Sequence, residues 1–357
     1  MNHILYYLFA FGIYFAIIIA LCIAANRHNH RLSDYLLGGR NLSGPITALG
    51  VGASDMSGWL LLALPGAVFT HGLNQIWMPI GLYVGAYCNW LWISKRLRSY
   101  TEIDNNSLTI PAFLGHRFPK HSQTIHIVAA IVVLVFFTVY CAAGFVSGAL
   151  LFQVAAHMHY QTALWSSGLI ILLYTMVGGF LAINWIDFFQ GCLMFIALLI
   201  VPATTLWHLH SAQILTERLA VLPINYLHPL THMSTLAILS LLGWGLGYFG
   251  QPHILTRFMA ARSTKELPLA RRICMGWMLL ALLGALGTGI AGHLYFPDGL
   301  ANPTQNFLLL AEHLFVPFIT GILYAAVLSA MMSTLSAQLL ASSSALVADF
   351  YASFLRP

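Results

Sequence analysis

Long, continuous apolar stretches dominate this chain, and short polar segments separate them. A membrane-crossing helix needs about 20 apolar residues, and nine stretches approach or exceed that length. They cover residues 4–25, 44–68, 76–93, 125–151, 162–183, 186–207, 236–251, 273–296 and 315–346. The apolar residues lack the alternation that is typical of membrane β-strands. We therefore predict an all-α polytopic membrane protein with about nine transmembrane helices.

The composition agrees with this pattern and excludes a soluble globular domain. Of the 357 residues, 59% are hydrophobic and only 7% are charged, with a mean hydropathy of +0.80, whereas about 25% are charged in a soluble domain. The five cysteines lie in apolar stretches without CxxC spacing, which indicates neither disulfides nor zinc. The 16 histidines form no HExxH motif, so we do not expect a metalloenzyme.

The positive residues are distributed unevenly between the two sides of the predicted membrane protein. Three follow predicted helix 1, five follow helix 3, five follow helix 7 and Arg356 follows helix 9, whereas only Arg218 lies on the other side. Because Lys and Arg are enriched in cytoplasmic loops, we predict a periplasmic N-terminus. The same distribution explains the net charge of +5 without a nucleic-acid partner.

Two apolar stretches are interrupted by glycines. Predicted helix 2 reads GVGASDMSGW at residues 50–59, and predicted helix 7 reads GWGLGYFGQP at residues 243–252. Transporters built from inverted repeats interrupt helices at corresponding positions to bind substrate and ions. Helices 2–6 would form one repeat, helices 7–9 part of a second, and helix 1 an addition, all in one domain over 1–357. Close helix packing by small residues is the alternative.

Asp55 is the only carboxylate well inside an apolar stretch. At mid-helix, a charge of this kind costs about 2.5 to 3.5 kcal/mol on insertion scales, and it needs a partner. Since the stretches contain no Lys or Arg, the candidate partner is a cation from solution, Na⁺ or H⁺. A protonated Asp55 bonded to backbone at the helix break is the alternative.

Polar and aromatic side chains near the two breaks add candidate ligands. Predicted helix 9 presents Ser329, Ser333 and Ser336 on one face, with Thr334 beside them. Hydroxyl oxygens suit hard cations, although such hydroxyls also commonly bond to carbonyls one turn earlier. Asp187, at the predicted turn between helices 5 and 6, is either a surface charge or a gate. Amphipathic rings near the breaks suit a small amphiphilic solute, namely Trp59, Tyr140, Trp244 and Tyr248.

Several motifs together closely resemble the sodium/solute symporter family, in particular its proline-transporting branch. They are SDYLLGGR at 33–40, GASDMSGW at 52–59, LPGAV at 64–68, GWGLGYFGQPHI at 243–254 and MSTLS at 332–336. The resemblance extends over essentially the whole chain. It implies a LeuT-type fold with inverted five-helix repeats and Na⁺-coupled accumulation of L-proline by alternating access in the bacterial inner membrane.

The resemblance also implies roles for individual residues. The Na⁺ site would take the carbonyls of Ala53, Met56 and Ala330, the hydroxyls of Ser333 and Thr334, and the charge of Asp55. Substrate binding would fall to Ser57, Gly58, Trp59, Tyr140, Trp244, Tyr248 and Pro252. Coupling or gating would involve Arg40 and Asp187. No cofactor is implied besides the transported Na⁺, and the partners would be L-proline, Na⁺ and the lipid bilayer.

In one respect the sequence departs from the family pattern. Family members have about a dozen or more helices, whereas this sequence ends at Pro357 after predicted helix 9, so the second repeat lacks two helices. A fragment or a truncated gene would explain this. An inactive truncated symporter, or the transporter-like sensor module of a signalling protein, is therefore an alternative to a working symporter.

Overall fold

Helices form nearly all of the structure. The computed structural model describes residues 2–26, 32–104 and 106–355, and it is 86% helical. No strand occurs in these three ranges, where the only β-type pairing is one isolated bridge between Leu42 and Ala261. The prediction of an all-α fold is confirmed.

The α-helices follow one another through short connections. They are α1 (Asn2–Asn26), α2 (Leu32–Leu37), α3 (Gly44–Gly58), α4 (Leu64–His71), α5 (Trp77–Trp92), α6 (Ser94–Ile103), α7 (Ile110–Arg117), α8 (Ser122–Ala156), α9 (Tyr160–Ser211), α10 (Leu215–Val221), α11 (Thr235–Gly243), α12 (Pro252–Ala260), α13 (Leu267–Tyr295), α14 (Asn306–Leu314) and α15 (Pro317–Ser344). A π-helical segment, Trp59–Ala63, joins α3 to α4, and another, Ala345–Leu355, extends α15.

Six helical segments of the described chain are long and apolar enough to cross a membrane. They are His3–Ala25, Gly44–Trp92, Pro119–Ala156, Gly179–Ser211, Leu267–Tyr295 and Pro317–Tyr351, and shorter apolar helices cover Tyr160–Leu173 and Thr235–Phe249. All nine predicted stretches overlap these segments, and Gly44–Trp92 contains two of them. The multi-pass architecture is confirmed, whereas the count of nine crossings stays a prediction.

The boundary predicted between helices 5 and 6 was wrong. The chain was expected to turn at residues 184–185, but α9 runs through them, and its only non-helical residue is Gly179, with φ 62° and ψ −174°. Glycine adopts a positive φ without the steric cost that a Cβ imposes. The polar residues Asn184 and Asp187 look like a turn in the sequence, yet both are fully buried inside the helix.

The core lies around α9 and α3, which pack against each other and against both α13 and α15, and α1 packs against both α9 and α15. Close contact at the centre uses small residues, as is common between membrane helices. A side chain at Gly52 would lie 3.0 Å from the Trp277 ring. Exposed apolar side chains such as Leu8 on α1 and Phe136 on α8 form the surface that faces lipid.

Candidate functional site

The interruption predicted in helix 2 lies at Ser57. This residue has φ 48° and ψ −171°, between α3 and the π-helical segment that follows. Positive φ is uncommon for a residue other than glycine, and such strained backbone tends to collect at functional sites. The Ser57 side chain partly offsets the cost of this backbone conformation, since its Oγ accepts a hydrogen bond from the backbone amide of Trp59 at 3.2 Å. A break of this kind makes nearby carbonyls available to partners outside the helix.

Oxygen atoms from α3 and α15 meet beside this break. The hydroxyl of Ser333 donates to the Ala53 carbonyl at 2.9 Å and lies 3.2 Å from the Ala330 carbonyl. The Thr334 hydroxyl lies 3.2 Å from the same Ala330 oxygen. All four residues are buried. Four of the five residues expected to supply carbonyl or hydroxyl ligands therefore form one oxygen cluster.

The spacing of this oxygen cluster suits a cation of the size of Na⁺ after a small expansion. Oxygen ligands at about 2.3–2.6 Å from an ion in octahedral geometry lie about 3.3–3.7 Å from one another. The separations around Ser333 are 2.9 and 3.2 Å, because its hydroxyl hydrogen-bonds to these carbonyls. The carbonyl of Met56, the fifth expected ligand, accepts a hydrogen bond from the amide of Trp59.

The other two serines on this face of predicted helix 9, which corresponds to α15, bond to carbonyls about one turn earlier in their own helix. Ser329 donates to the Ala325 carbonyl at 2.7 Å, and Ser336 donates to the Ser333 carbonyl at 3.1 Å. Both bonds remain within α15, which is ordinary for membrane helices. Ser333 differs because its hydroxyl also reaches a backbone carbonyl of α3, the helix that is interrupted at Ser57.

Asp55 receives a hydrogen bond from the hydroxyl of Tyr248. This bond links the break in helix 2 to the interrupted helix 7, 193 residues away. The backbone of Tyr248 is itself held, since its carbonyl accepts from the Asn89 amide at 3.0 Å. A neutral hydroxyl orients the carboxylate but leaves its negative charge uncompensated. The arrangement can therefore still attract a cation.

Helix 7 is interrupted where the sequence predicts it. After α11 the chain forms a 3₁₀ segment, Trp244–Phe249, and α12 then begins at Pro252. Proline favours the first turn of a helix, where its missing N–H is not needed. The glycines of this segment also allow close helix packing, the alternative explanation for them, because the backbone of Gly245 lies directly against Gly81 and Gly85 of α5.

Asp187 and Arg257 form a buried ion pair. Arg257 Nη2 lies 2.5 Å from Asp187 Oδ2, and each side chain is 1% exposed. Asp187 was predicted beside a turn, as a surface charge or a gate, and Arg257 was predicted in a cytoplasmic loop. The surface position is wrong for both. Little in the sequence indicated that Arg257 is buried, because this residue follows Pro252 by five positions and lies just outside the predicted apolar stretch.

Arg40 holds three segments of the chain together. Its guanidinium donates to the Met259 carbonyl at 2.7 Å, to the Ser107 carbonyl at 3.0 Å, and to both oxygens of Thr101 at 3.2 Å. Its Nε donates to Asn106 Oδ1 at 3.0 Å. This single side chain thus ties the approach to α3 to the end of α12.

The surroundings of Arg40 also affect its charge and its backbone. Burial, and to a smaller extent the positive charge of Arg98, lower the pKa of the Arg40 guanidinium to about 10, while the negative charge of Glu102 opposes this shift. Arg40 remains charged at neutral pH. Beside it, Leu42 pairs with the end of α12, because its amide donates to the Ala260 carbonyl at 3.1 Å and its carbonyl accepts from Arg262 at 2.8 Å.

Comparison with known proteins places this arrangement in a family. Residues 35–357 match the family described as the sodium:solute symporter family. The chain belongs to this family. It is 48% identical to a sodium/proline symporter of Haemophilus influenzae, covering 98% of this chain and 72% of the relative. It is 48% identical to the high-affinity proline transporter PutP of Bacillus subtilis, covering 93% and 71%. It is 46% identical to the Escherichia coli sodium/proline symporter, covering 98% and 71%.

A solved structure shares the fold of this chain. The substrate-bound, outward-open state of a Na⁺-coupled sialic acid symporter superimposes with a TM-score of 0.85. The match covers 98% of this chain and 75% of that one, at 17% sequence identity. The LeuT-type fold implied by the motifs is therefore confirmed, and the resemblance to the sodium/solute symporters is confirmed with it.

In the present chain, most residues expected to bind substrate lie around the break in predicted helix 2. Ser57 and Gly58 form the break itself, Trp59 follows it, and the Tyr140 hydroxyl lies beside the Ser57 side chain. Gly58 packs tightly there, since a Cβ at this position would lie 3.2 Å from side-chain atoms of both Met331 and Ser147. These neighbours would have to move by a few tenths of an ångström to admit a larger residue.

The remaining expected substrate residues lie in helix 7. Tyr248 reaches the break through Asp55. Trp244 instead is 59% exposed. Pro252 lines a cavity of about 30 Å³ together with Thr256 and Arg257. The structure thus gathers Ser57, Tyr140 and Tyr248 near Asp55, while Trp244 lies on the surface and Pro252 faces a separate cavity.

Proposed function

We propose that this symporter uses inward Na⁺ flow to accumulate L-proline. The observation that carries the proposal is the oxygen cluster of Ser333, Ala53 and Ala330 beside the interrupted helix that bears Asp55. Its relatives at 46–48% identity are sodium/proline symporters and a proline transporter. An ion site and a substrate site that share one helix break give a direct route for coupling.

The driving force is sufficient for concentrative uptake. One Na⁺ gains about 2.3 kcal/mol per 100 mV of membrane potential, and a tenfold concentration gradient adds about 1.4 kcal/mol. Together they support roughly several-hundred-fold accumulation when one ion moves with each substrate. Coupling requires that Na⁺ and proline favour the same conformation, so each raises the affinity for the other.

The proposed ligands divide between the two cargoes. Na⁺ binds the carbonyls of Ala53, Met56 and Ala330 and the hydroxyls of Ser333 and Thr334, and Asp55 supplies negative charge. The proline carboxylate lies at the start of the helical segment after Ser57, where the helix dipole favours an anion. The rings of Trp59, Tyr140 and Tyr248 contact the apolar part of the substrate, and Ser57 and Gly58 shape its pocket.

Arg40 and Asp187 have a gating role in this proposal. Arg40 and the Leu42–Ala261 bridge close one side of the protein, which the distribution of basic residues assigns to the cytoplasm. Opening toward that side must break the contacts of Arg40 with the end of α12. Asp187 and Arg257 lie between the oxygen cluster and that closure along helices α9 and α12, so their separation would accompany ion release.

Uptake by purified protein tests the proposed function directly. Proteoliposomes with an imposed inward Na⁺ gradient are expected to accumulate radiolabelled L-proline, and a K⁺ gradient of the same size is expected to give no accumulation. Leucine at equal concentration serves as the substrate control. Uptake that is equal in the two ion gradients would contradict Na⁺ coupling.

The proposed orientation places the N-terminus in the periplasm of a bacterial inner membrane. Lys95 and Arg96, on the predicted cytoplasmic side, are exposed, whereas the neighbouring Arg98 is buried against the Ala261 carbonyl. We therefore expect Arg96→Cys to resist a membrane-impermeant maleimide in intact cells and to react after permeabilisation. Glu217→Cys, on the exposed surface of α10 and on the predicted opposite side, should react in intact cells. The reverse pattern would overturn the orientation.

Ser333→Ala is expected to weaken Na⁺ binding. The change removes one proposed oxygen ligand and leaves the proline pocket intact, so the Na⁺ concentration for half-maximal uptake should rise about fivefold or more, the equivalent of one lost hydrogen-bond-sized interaction. Ser343→Ala on the same helix is the control, since its hydroxyl bonds only to the Leu340 carbonyl at 2.9 Å. An unchanged Na⁺ dependence with weaker proline binding would remove Ser333 from the ion site.

A further inference from the structure

The first helix carries a buried hydroxyl that contacts two other helices. Gln190 of α9 donates from Nε2 to the Tyr14 oxygen at 2.7 Å, and the Ser329 hydroxyl of α15 lies 3.1 Å from that oxygen. The Tyr14 hydroxyl also donates to the sulfur of Met332 at 3.5 Å. Tyr14 is 3% exposed, and Gln190 and Ser329 are fully buried.

Such a cluster is not needed merely to dock α1. This helix is otherwise held by apolar and aromatic contacts, such as the Tyr7 ring against the Tyr324 ring at 5.3 Å. Phenylalanine at position 14 would fill the same space without a polar atom that needs a partner. A buried hydroxyl with several partners instead fixes the relative positions of the groups it joins.

The partners of Tyr14 lie next to the proposed ion-binding residues. Ser329 precedes Ser333 by one helical turn and is the direct neighbour of Ala330. Gln190 follows Asp187 by three residues, which places both on one face of α9. The Tyr14 hydroxyl therefore joins α15, which carries the Ser333 and Ala330 oxygens, to α9, which carries Asp187.

The orientation of Gln190 adds a second observation. Because its Nε2 donates to Tyr14, its Oε1 is left as an acceptor, and that oxygen is buried without a hydrogen-bond partner among the described residues. The Oδ1 atoms of Asp187 and Asn184, on the same helix, are also buried without a hydrogen-bond partner among the described residues. Arg257 already supplies positive charge to Asp187, so the Gln190 oxygen is the acceptor of this face that stands beside the Tyr14 hydroxyl rather than beside the arginine.

We propose that Tyr14 is a positioning residue for Na⁺ binding: its hydroxyl holds α15 against α9, which also packs on α3, and thereby sets the separation between the ligand oxygens of α15 and those of α3. This inference rests on the proposed ion site. It assigns α1, which lies outside both repeats, a part in ion affinity. Loss of the hydroxyl leaves Ser329 and Gln190 without a shared partner, so the helices adopt a less suitable spacing.

Na⁺-dependent thermal stability of the purified protein in detergent tests this inference. Ligand binding to the folded state raises the melting temperature with a dependence on concentration that reports affinity. NaCl is titrated against choline chloride at constant ionic strength for the wild type, Tyr14→Phe and Tyr7→Phe. Tyr7→Phe is the matched control, because it removes a hydroxyl from the same helix at a ring that packs on the same partner helix.

We expect Tyr14→Phe to raise the half-effect Na⁺ concentration by about three- to tenfold, with Tyr7→Phe equal to wild type. A purely structural role would lower the melting temperature at zero Na⁺ without moving the half-effect concentration, and this result would overturn the inference. So would equal shifts in both variants. If the wild type shows no Na⁺ response, the proposed ion site fails and this inference falls with it.

Ser329→Ala decides the question where Tyr14→Phe does not fold. It removes only the hydroxyl that faces Tyr14, and it is expected to shift the half-effect concentration in the same direction. Where both variants fold, the double variant should shift it by less than the product of the single fold-changes, since both remove one interaction. An unchanged half-effect concentration in Ser329→Ala would overturn the inference.

Discussion

Asp55→Asn is expected to abolish Na⁺-driven proline uptake while the protein reaches the membrane in normal amounts. A negative charge about 4 Å from a cation contributes about 4 kcal/mol at an effective dielectric of 20, which corresponds to about a thousandfold in affinity. The amide keeps the size of the side chain and still accepts the hydrogen bond of Tyr248. Uptake at low Na⁺ should therefore fall to background, with the variant and wild type compared at equal protein levels.

The same change should not destabilise the fold. An intramembrane carboxylate without a basic partner is costly, so its neutral isostere inserts at least as well. In Na⁺-free buffer, Asp55→Asn should melt at the wild-type temperature or above. This combination of normal stability and absent uptake distinguishes loss of an ion ligand from misfolding.

Two further substitutions sharpen the test. Asp55→Glu keeps the charge on a longer side chain, so partial uptake with a raised Na⁺ requirement is expected. Asp298→Asn makes the same chemical change in an exposed loop and should leave uptake unchanged. Wild-type uptake by Asp55→Asn at low Na⁺ would show that the carboxylate has a structural role only.

Helices and their interruptions could be predicted from the sequence because both depend on local composition. Continuous apolar runs fix the helices, and Gly, Ser and Pro inside them mark the breaks at Ser57 and before Pro252. The meeting of Ser333 with Ala53 could not be derived in this way, since 280 residues separate them. Only the resemblance to a known family predicted that contact.

Buried polar partners were the part that local patterns missed. A hydropathy window treats Asp187 as the end of a helix, because it sees the charge but not the arginine that neutralises it from another helix. Tyr14 gives no signal at all, since a tyrosine in an apolar run resembles any other aromatic residue. In both cases the decisive information is a tertiary contact, which sequence spacing does not encode.

Asp187→Ala is expected to destabilise the protein severely. Removing one partner of a buried ion pair leaves the other charge uncompensated, which costs about 3–5 kcal/mol, a large share of typical protein stability. Arg257 is then left buried, with its remaining described hydrogen bond to the His253 carbonyl. We expect a large loss of monodisperse protein on size-exclusion chromatography and a lower melting temperature.

A surface pair provides the control for this prediction. Arg262 and Glu266 lie 3.9 Å apart with side chains 56% and 30% exposed, and exposed pairs of this kind contribute about 0–1 kcal/mol. Glu266 also accepts from the Gly44 amide at 2.5 Å, so Arg262→Met is the substitution to compare. It should leave yield and melting temperature near wild type.

The double variant Asp187→Leu/Arg257→Met separates stability from gating. Replacing a buried ion pair by apolar residues of similar volume is often neutral or stabilising, so this variant should recover much of the yield lost in Asp187→Ala. If the pair must part during ion release, the recovered protein will still bind Na⁺, as seen by thermal stabilisation, but will transport proline slowly. Full recovery of both stability and uptake would show that the pair only holds α9 against α12. A single variant as stable as wild type would mean that Arg257 finds another partner once Asp187 is removed.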